Sequence, residues 1–174
     1  MSFPEFKQIF ILLTIASIKV LFLQSKNFME TDSTKRICLW SGPRNISTAL
    51  MYSFAQRSDT KVLDEPLYAH YLNETDAEDY HPGAAEVLET MEKDGQKVVE
   101  MMLGPHEKPV VFFKQMTHHL VNLKLSFLKE TINIILTRDP REMLPSYAKE
   151  IKYPTMRDVG YEQHLELFEF LQNR

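Results

Sequence analysis

Residues 36–51, Arg-Ile-Cys-Leu-Trp-Ser-Gly-Pro-Arg-Asn-Ile-Ser-Thr-Ala-Leu-Met, change pattern in a way few folds accommodate. A short apolar run, Ile37 to Trp40, breaks at Ser41-Gly42-Pro43. It resumes as a helix-compatible segment with Leu50, Met51 and Phe54 on one face. Strand, tight turn and helix N-terminus in succession make a cradle for an anion. The first N–H groups of a helix have no intrahelical partner, and the helix dipole favours negative charge there. Arg44 adds a fixed positive charge, and Ser47 and Thr48 add hydroxyl donors. A plain strand–turn–helix junction capped by Ser or Thr reads similarly. The nucleotide triphosphatase loop, G-x-x-x-x-G-K-[ST], is excluded. Counted from Gly42, its second Gly falls on Ser47 and its Lys on Thr48.

Further short apolar runs alternate with helical spacing. Strands are expected at about 36–41, 61–64, 109–114 and 132–137. Helices are expected at about 45–57, 84–103 (broken at Gly95), 117–129, 142–151 and 160–172, the last with Leu165, Phe168 and Leu171 on one face. Residues 73–84 read as a surface loop. The alternation implies an α/β, three-layer fold with a mostly parallel sheet flanked by helices. Ligands of such sheets sit beyond the carboxyl ends of the strands. Those ends carry Gly42 to Thr48, then Asp64-Glu65-Pro66, then Lys114 with His118 and His119, then Thr137 to Glu142 with Ser146. Four polar strand ends together favour a polyanion site with acid–base groups beside it. Tyr68, Tyr71 and Tyr80 are placed, by loop position alone, where they could line a pocket.

The 174 residues suit one domain, and a net charge of −4 gives no reason to expect nucleic acid as a partner. The single cysteine, Cys38, excludes an internal disulfide and reads as core. Residues 9–23 are apolar apart from Lys19 and a few small polar groups. They could be a secretory apolar region, a short anchor with Lys19 snorkelling, or a helix packed on the domain. The expected organisation is an apolar extension and linker over 1–34 and a domain over 35–174. A cytoplasmic location is favoured, with membrane anchoring through residues 9–23 as the alternative.

Two segments carry a family resemblance. Pro43-Arg44-Asn45-Ile46-Ser47-Thr48 resembles the 5′-phosphosulfate loop of sulfotransferases, P-K-S-G-T-T. Thr137-Arg138-Asp139-Pro140-Arg141-Glu142-Met143-Leu144-Pro145-Ser146-Tyr147 resembles their 3′-phosphate motif, R-[ND]-P-x-[DE]-x-x-x-S. The stretch from Arg36 to about Gln172 is thus similar to a sulfotransferase P-loop domain. The resemblance implies 3′-phosphoadenosine 5′-phosphosulfate as donor, a small acceptor and no metal. It places Pro43, Arg44, Asn45, Ile46, Ser47 and Thr48 around the 5′-phosphosulfate, and Arg138 and Ser146 at the 3′-phosphate. The family strand ending in Lys-Thr-His corresponds to Lys114, but the imidazoles here lie further on, at His118 and His119; Glu65 is the other candidate base. Arg44 stands for Lys, and Ile46 puts a β-branched residue where the family has Gly. The family also carries a further basic, Gly-containing segment, so the domain reads as incomplete. A non-catalytic nucleotide- or phosphate-binding module and a P-loop kinase are the alternatives.

Overall fold

In the computed structural model, residues 13–15, 18–24, 34–151 and 153–173 are described. The chain runs β1 (Leu13–Ile15), β2 (Ile18–Gln24), β3 (Lys35–Ser41), α1 (Ser47–Ala55), β4 (Thr60–Asp64), α2 (Tyr68–Asn73), α3 (Ala84–Thr90), α4 (Gly95–Leu103), β5 (Val110–Met116), β6 (Ile132–Arg138), α5 (Pro140–Tyr147), α6 (Met156–Val159) and α7 (Tyr161–Gln172). The sheet order is β1-β2-β6-β3-β5-β4. The four strands β6, β3, β5 and β4 are all parallel, while β1 and β2 pair antiparallel at one edge.

Alternation along the central strands sends side chains to two faces. Cys38, Trp40, Val111, Phe113 and Ile135 face α4, α7 and the turn Leu125–Glu130. Leu39, Phe112, Ile134 and Leu136 face α1, whose Leu50, Met51 and Phe54 complete that layer. Phe54 stacks on Phe112 with centroids 4.2 Å apart. Burying an aromatic or branched side chain of this kind is worth about 1.5–3 kcal/mol. Cys38 is fully buried, and burial pushes its thiol up to about 12.

The register fixes which strand ends meet. Ser41 pairs with Met116 on one side and Leu136 on the other, and Asp64 pairs with Lys114. All four polar strand ends therefore reach one rim of the sheet.

Several expectations change. Within the apolar stretch 9–23, residues 13–15 and 18–23 are strand rather than helix, and β2 pairs with β6 from Ile18↔Arg138 to Gln24↔Ile132. A continuous apolar run has no period to separate strand from helix. The sheet thus draws on the stretch read as an extension, while residues 9–12, 16 and 17 lie outside the described residues. Among the described residues no helix is long and apolar enough to cross a membrane. The helix expected at 117–129 is two short 3₁₀ turns, Thr117–His119 and Leu125–Glu130. The loop expected at 73–84 is partly helical and buries Ala77. On α7 the inward face is His164, Leu167, Phe168 and Leu171, while Leu165 is exposed.

Candidate functional site

The segment between β3 and α1 turns sharply because it has little room. A Cβ on Gly42 would lie 2.8 Å from the Val159 carbonyl oxygen, so only glycine passes there. Arg44 and Ile46 then adopt left-handed backbone, at φ 57° and 64°. For a β-branched residue this costs about 1–2 kcal/mol. Alternating left- and right-handed residues turn successive N–H groups toward one side, which suits an anion. Helix α1 begins at Ser47 with Ile46 as N-cap; no side chain caps it, and no acid lies in its first turn. Its amide groups and dipole are therefore open to a ligand.

That loop forms one wall of a cleft of about 510 Å³ lined by residues 42–49, Glu65, Lys114, Met116, Arg138 and Ser146. The rest comes from distant sequence. Arg44 Nε donates to Ser146 Oγ at 2.9 Å, joining the loop to α5. Arg138 Nη1 donates to the Arg44 carbonyl at 3.3 Å, and its Nε and Nη2 both reach Glu142 Oε2 at 3.2 Å. Pro140 opens α5, and Asp139 caps it by accepting from the Arg141 N–H at 2.8 Å. This start sets the first turn that carries Glu142. Asn45 Nδ2 donates to the Leu136 carbonyl at 3.1 Å, while its Oδ1 is buried without a partner.

On the other wall, Lys114 Nζ bonds to Glu65 and lies 2.8 Å from Asp64 Oδ1. The β4–β5 pairing brings Asp64 beside Lys114. Glu65, at φ 46° and with its N–H donating to the Lys114 carbonyl at 2.8 Å, turns back onto the same ammonium. Burial alone would lower the Lys114 ammonium, but the two carboxylates outweigh it and hold Lys114 above its ordinary value. Burial raises the Glu65 carboxyl, with Lys114 opposing and Asp64 adding to the rise. Two carboxylates thus share one ammonium, and burial favours the protonated form of Glu65.

His118 and His119 do not enter this cleft. Both are buried, at 3% and 1% exposure. His119 stacks on Tyr68 and Tyr71, with centroids 5.1 and 4.9 Å away, and His118 meets Tyr71 edge-on. The Nδ1 atoms of both are buried without a partner. Burial pulls His118 down to about 3 and His119 well below its ordinary value, so both are neutral. The two imidazoles expected beside the anion site thus lie outside the cleft lining, in a buried ring cluster. A strand-end position does not tell which way the chain turns next, and the 3₁₀ turn folds both rings inward. Tyr68 and Tyr71 belong to this buried cluster, and Tyr80 donates to Asp158 Oδ1 at 2.9 Å. Among the described residues no group of three or more His, Cys, Asp or Glu is arranged to hold a metal ion.

Three polar residues behind the cleft carry no sequence motif. Thr117 Oγ1 donates to the Ser41 carbonyl at 3.2 Å, Tyr161 Oη donates to the Arg138 carbonyl at 2.8 Å, and His164 Nε2 lies 3.2 Å from the Leu136 carbonyl. The one available signal was a histidine inside an apolar helical stripe, at 164 with 167, 168 and 171.

Two curated Arabidopsis thaliana proteins match. Branched-chain-amino-acid aminotransferase-like protein 2 is 46% identical over 112 residues, 63% of this chain and 20% of that protein. Branched-chain-amino-acid aminotransferase-like protein 1 is 38% identical over 131 residues, 74% of this chain and 23% of that protein. The chain thus spans about a fifth of the length of each. No solved structure matches it. The family model described as Sulfotransferase domain matches residues 35–172, nearly all of the segment that builds the cleft, and the chain belongs to that sulfotransferase family.

Proposed function

We propose that the chain binds 3′-phosphoadenosine 5′-phosphosulfate in this cleft and transfers its sulfuryl group to a hydroxyl or amine of a small acceptor. One observation carries the reading. The loop at residues 43–48 and the Arg138–Ser146 segment, more than ninety residues apart at Arg44 and Arg138, line one cleft and are tied by the Arg44–Ser146 hydrogen bond. The amide groups of residues 44–48, with Arg44, Ser47 and Thr48, hold the 5′-phosphosulfate. Arg138 and Ser146 hold the 3′-phosphate, a guanidinium being suited to a forked contact.

The acceptor oxygen or nitrogen attacks sulfur. A new bond to sulfur forms as the bond from sulfur to the bridging oxygen of the 5′-phosphate breaks. That electron pair leaves with 3′-phosphoadenosine 5′-phosphate, and the acceptor proton passes to Glu65. Lys114 sits beside Glu65 and stabilises the negative charge that develops on the leaving oxygen.

The test is calorimetric titration of the full chain with 3′-phosphoadenosine 5′-phosphate, beside Arg138→Ala. Saturable binding is expected, weakened about 10- to 100-fold in the variant, the worth of one or two charge-assisted bonds. Absence of binding by folded protein overturns the reading. Binding without acceptor-dependent consumption of donor, across a panel of hydroxyl and amine acceptors, leaves a nucleotide-binding module in place of an enzyme.

A further inference from the structure

The last helix touches the rim of the cleft from behind at two points. Tyr161 and His164 lie three residues apart on α7 and so share one face of it. Tyr161 Oη donates to the Arg138 carbonyl at 2.8 Å, and His164 Nε2 lies 3.2 Å from the Leu136 carbonyl. These are alternate carbonyls at the C-terminal end of β6. Arg138 is the 3′-phosphate candidate. The Leu136 carbonyl also receives the Asn45 amide at 3.1 Å, so the imidazole and the anion loop converge on one oxygen. Neither side chain lines the cleft, and His164 is 7% exposed.

The helix is held firmly at this point. Gly160 precedes it in left-handed backbone at φ 70°. A Cβ there would lie 3.3 Å from His118 Nδ1 and 3.8 Å from His164 Nδ1. On α6 the Val159 carbonyl sits where a Cβ of Gly42 would have to go. Thr117 Oγ1 is 3.2 Å from His164 Nδ1 and also donates to the Ser41 carbonyl, linking the ring to the end of β3. Leu167, Phe168 and Leu171 anchor the rest of α7 in the core.

We propose that the first turn of α7 is a positioning clamp: Tyr161 fixes Arg138, and His164, through the Leu136 carbonyl it shares with Asn45, fixes the anion loop. The donor never touches these residues. They set the separation between the loop and the Arg138–Ser146 segment, and that separation decides whether one ligand bridges both. The clamp deepens the donor-binding reading and assigns a role to residues outside both motifs.

The tautomer makes a sharp test. Two carbonyls flank the His164 ring, Leu136 at Nε2 and Gly160 at 2.6 Å from Nδ1. A glutamine amide places its N–H₂ near the Nε2 position, and an asparagine amide near Nδ1. His164→Gln therefore keeps the Leu136 contact, and His164→Asn keeps only the helix contact. Tyr161→Phe removes a single hydroxyl. The first readout is amide hydrogen exchange of residues 42–50 in the ligand-free full chain, with residues 60–64 of β4 as control for global stability. Exchange about three- to tenfold faster in His164→Asn than in His164→Gln, with the control unchanged, is the expected result for one lost hydrogen bond. The second readout is affinity for 3′-phosphoadenosine 5′-phosphate. His164→Asn and Tyr161→Phe are each expected to bind about three- to tenfold more weakly at unchanged melting temperature, and His164→Gln close to the parent chain. Equal exchange in the two His164 variants, or the reverse ranking, overturns the clamp. So does loop exchange that rises only together with the control. A parent chain that fails to bind the nucleotide overturns the donor reading, while the exchange experiment still decides the clamp.

Discussion

Two clusters of chemistry-bearing side chains sit at the same rim of the sheet, and they differ in access and in charge. The cleft holds Arg44, Lys114, Arg138, Glu65 and Ser146 around open space of about 510 Å³. The neighbouring cluster holds His118, His119, Tyr68 and Tyr71 with ring pressed on ring and unpartnered nitrogens inside. In the first, charges are paired but reachable. In the second, burial has removed the charge. Polar residue types at a strand end therefore mark two outcomes, a site and a neutral internal packing unit, and only the turn that follows the strand separates them.

The widest separation between the two is expected in activity. Glu65→Gln should reduce acceptor-dependent sulfuryl transfer by about 10²- to 10⁴-fold, the usual worth of a positioned base, with nucleotide affinity nearly unchanged. His119→Phe should leave transfer within about threefold. Initial rates at saturating donor decide it, and a matching collapse in His119→Phe would erase the distinction.

The pH responses should run apart as well. His118 titrates near 6.5 when unfolded and at about 3 in the fold. The unfolded chain takes the proton first, so stability is fully present above pH 6.5 and drains away as pH falls toward 3, by about 1.4 kcal/mol per unit in that window. Denaturant titrations between pH 7 and 4, with His118→Phe as reference, measure the slope. On the proposed reading Glu65 accepts a proton only when ionised, and burial raises its carboxyl above the ordinary value. Transfer rate should therefore climb with pH through that raised value and then level off, as a pH–rate profile will show.

Smaller effects probe backbone and packing. Ile46→Gly relieves the left-handed strain at φ 64°, and should raise stability by up to about 1 kcal/mol after the entropy of glycine is subtracted. Chemical denaturation measures this. His119→Phe keeps a flat ring against the two tyrosines and discards the unpartnered nitrogen. Its stability should change by less than about 1 kcal/mol, whereas a larger loss would mean that Nδ1 has a partner after all.

The sequence exposed the parts of this arrangement that depend on local rules. Ile37–Trp40, Val110–Phe113 and Ile132–Leu136 are short apolar runs bounded by turn residues, and each is a strand. Arg138 and Ser146 sit eight residues apart, as the resemblance implied, and both line the cleft. What stayed hidden depends on partners far away in sequence. Residues 18–24 have no period that separates strand from helix, and pairing with β6 decides for strand. His118 and Glu65 look alike in the sequence, and the structure puts only Glu65 on the cleft wall. His164 sits in an apolar stripe, where a leucine-only count points one residue away, to the exposed Leu165.

The antiparallel pairing of β2 with β6 has a consequence for the chain in solution. Ile18 faces Arg138 across that ladder, and Gln24 faces Ile132, so the outer side of β6 is spoken for along its whole length. Without β2, the strand that ends in Arg138 would be a seven-residue, largely apolar sheet edge with a free row of amide and carbonyl groups, the kind of surface that recruits another strand. Strand β2 therefore covers the outer edge of β6, and its removal is expected to show first as concentration-dependent assembly.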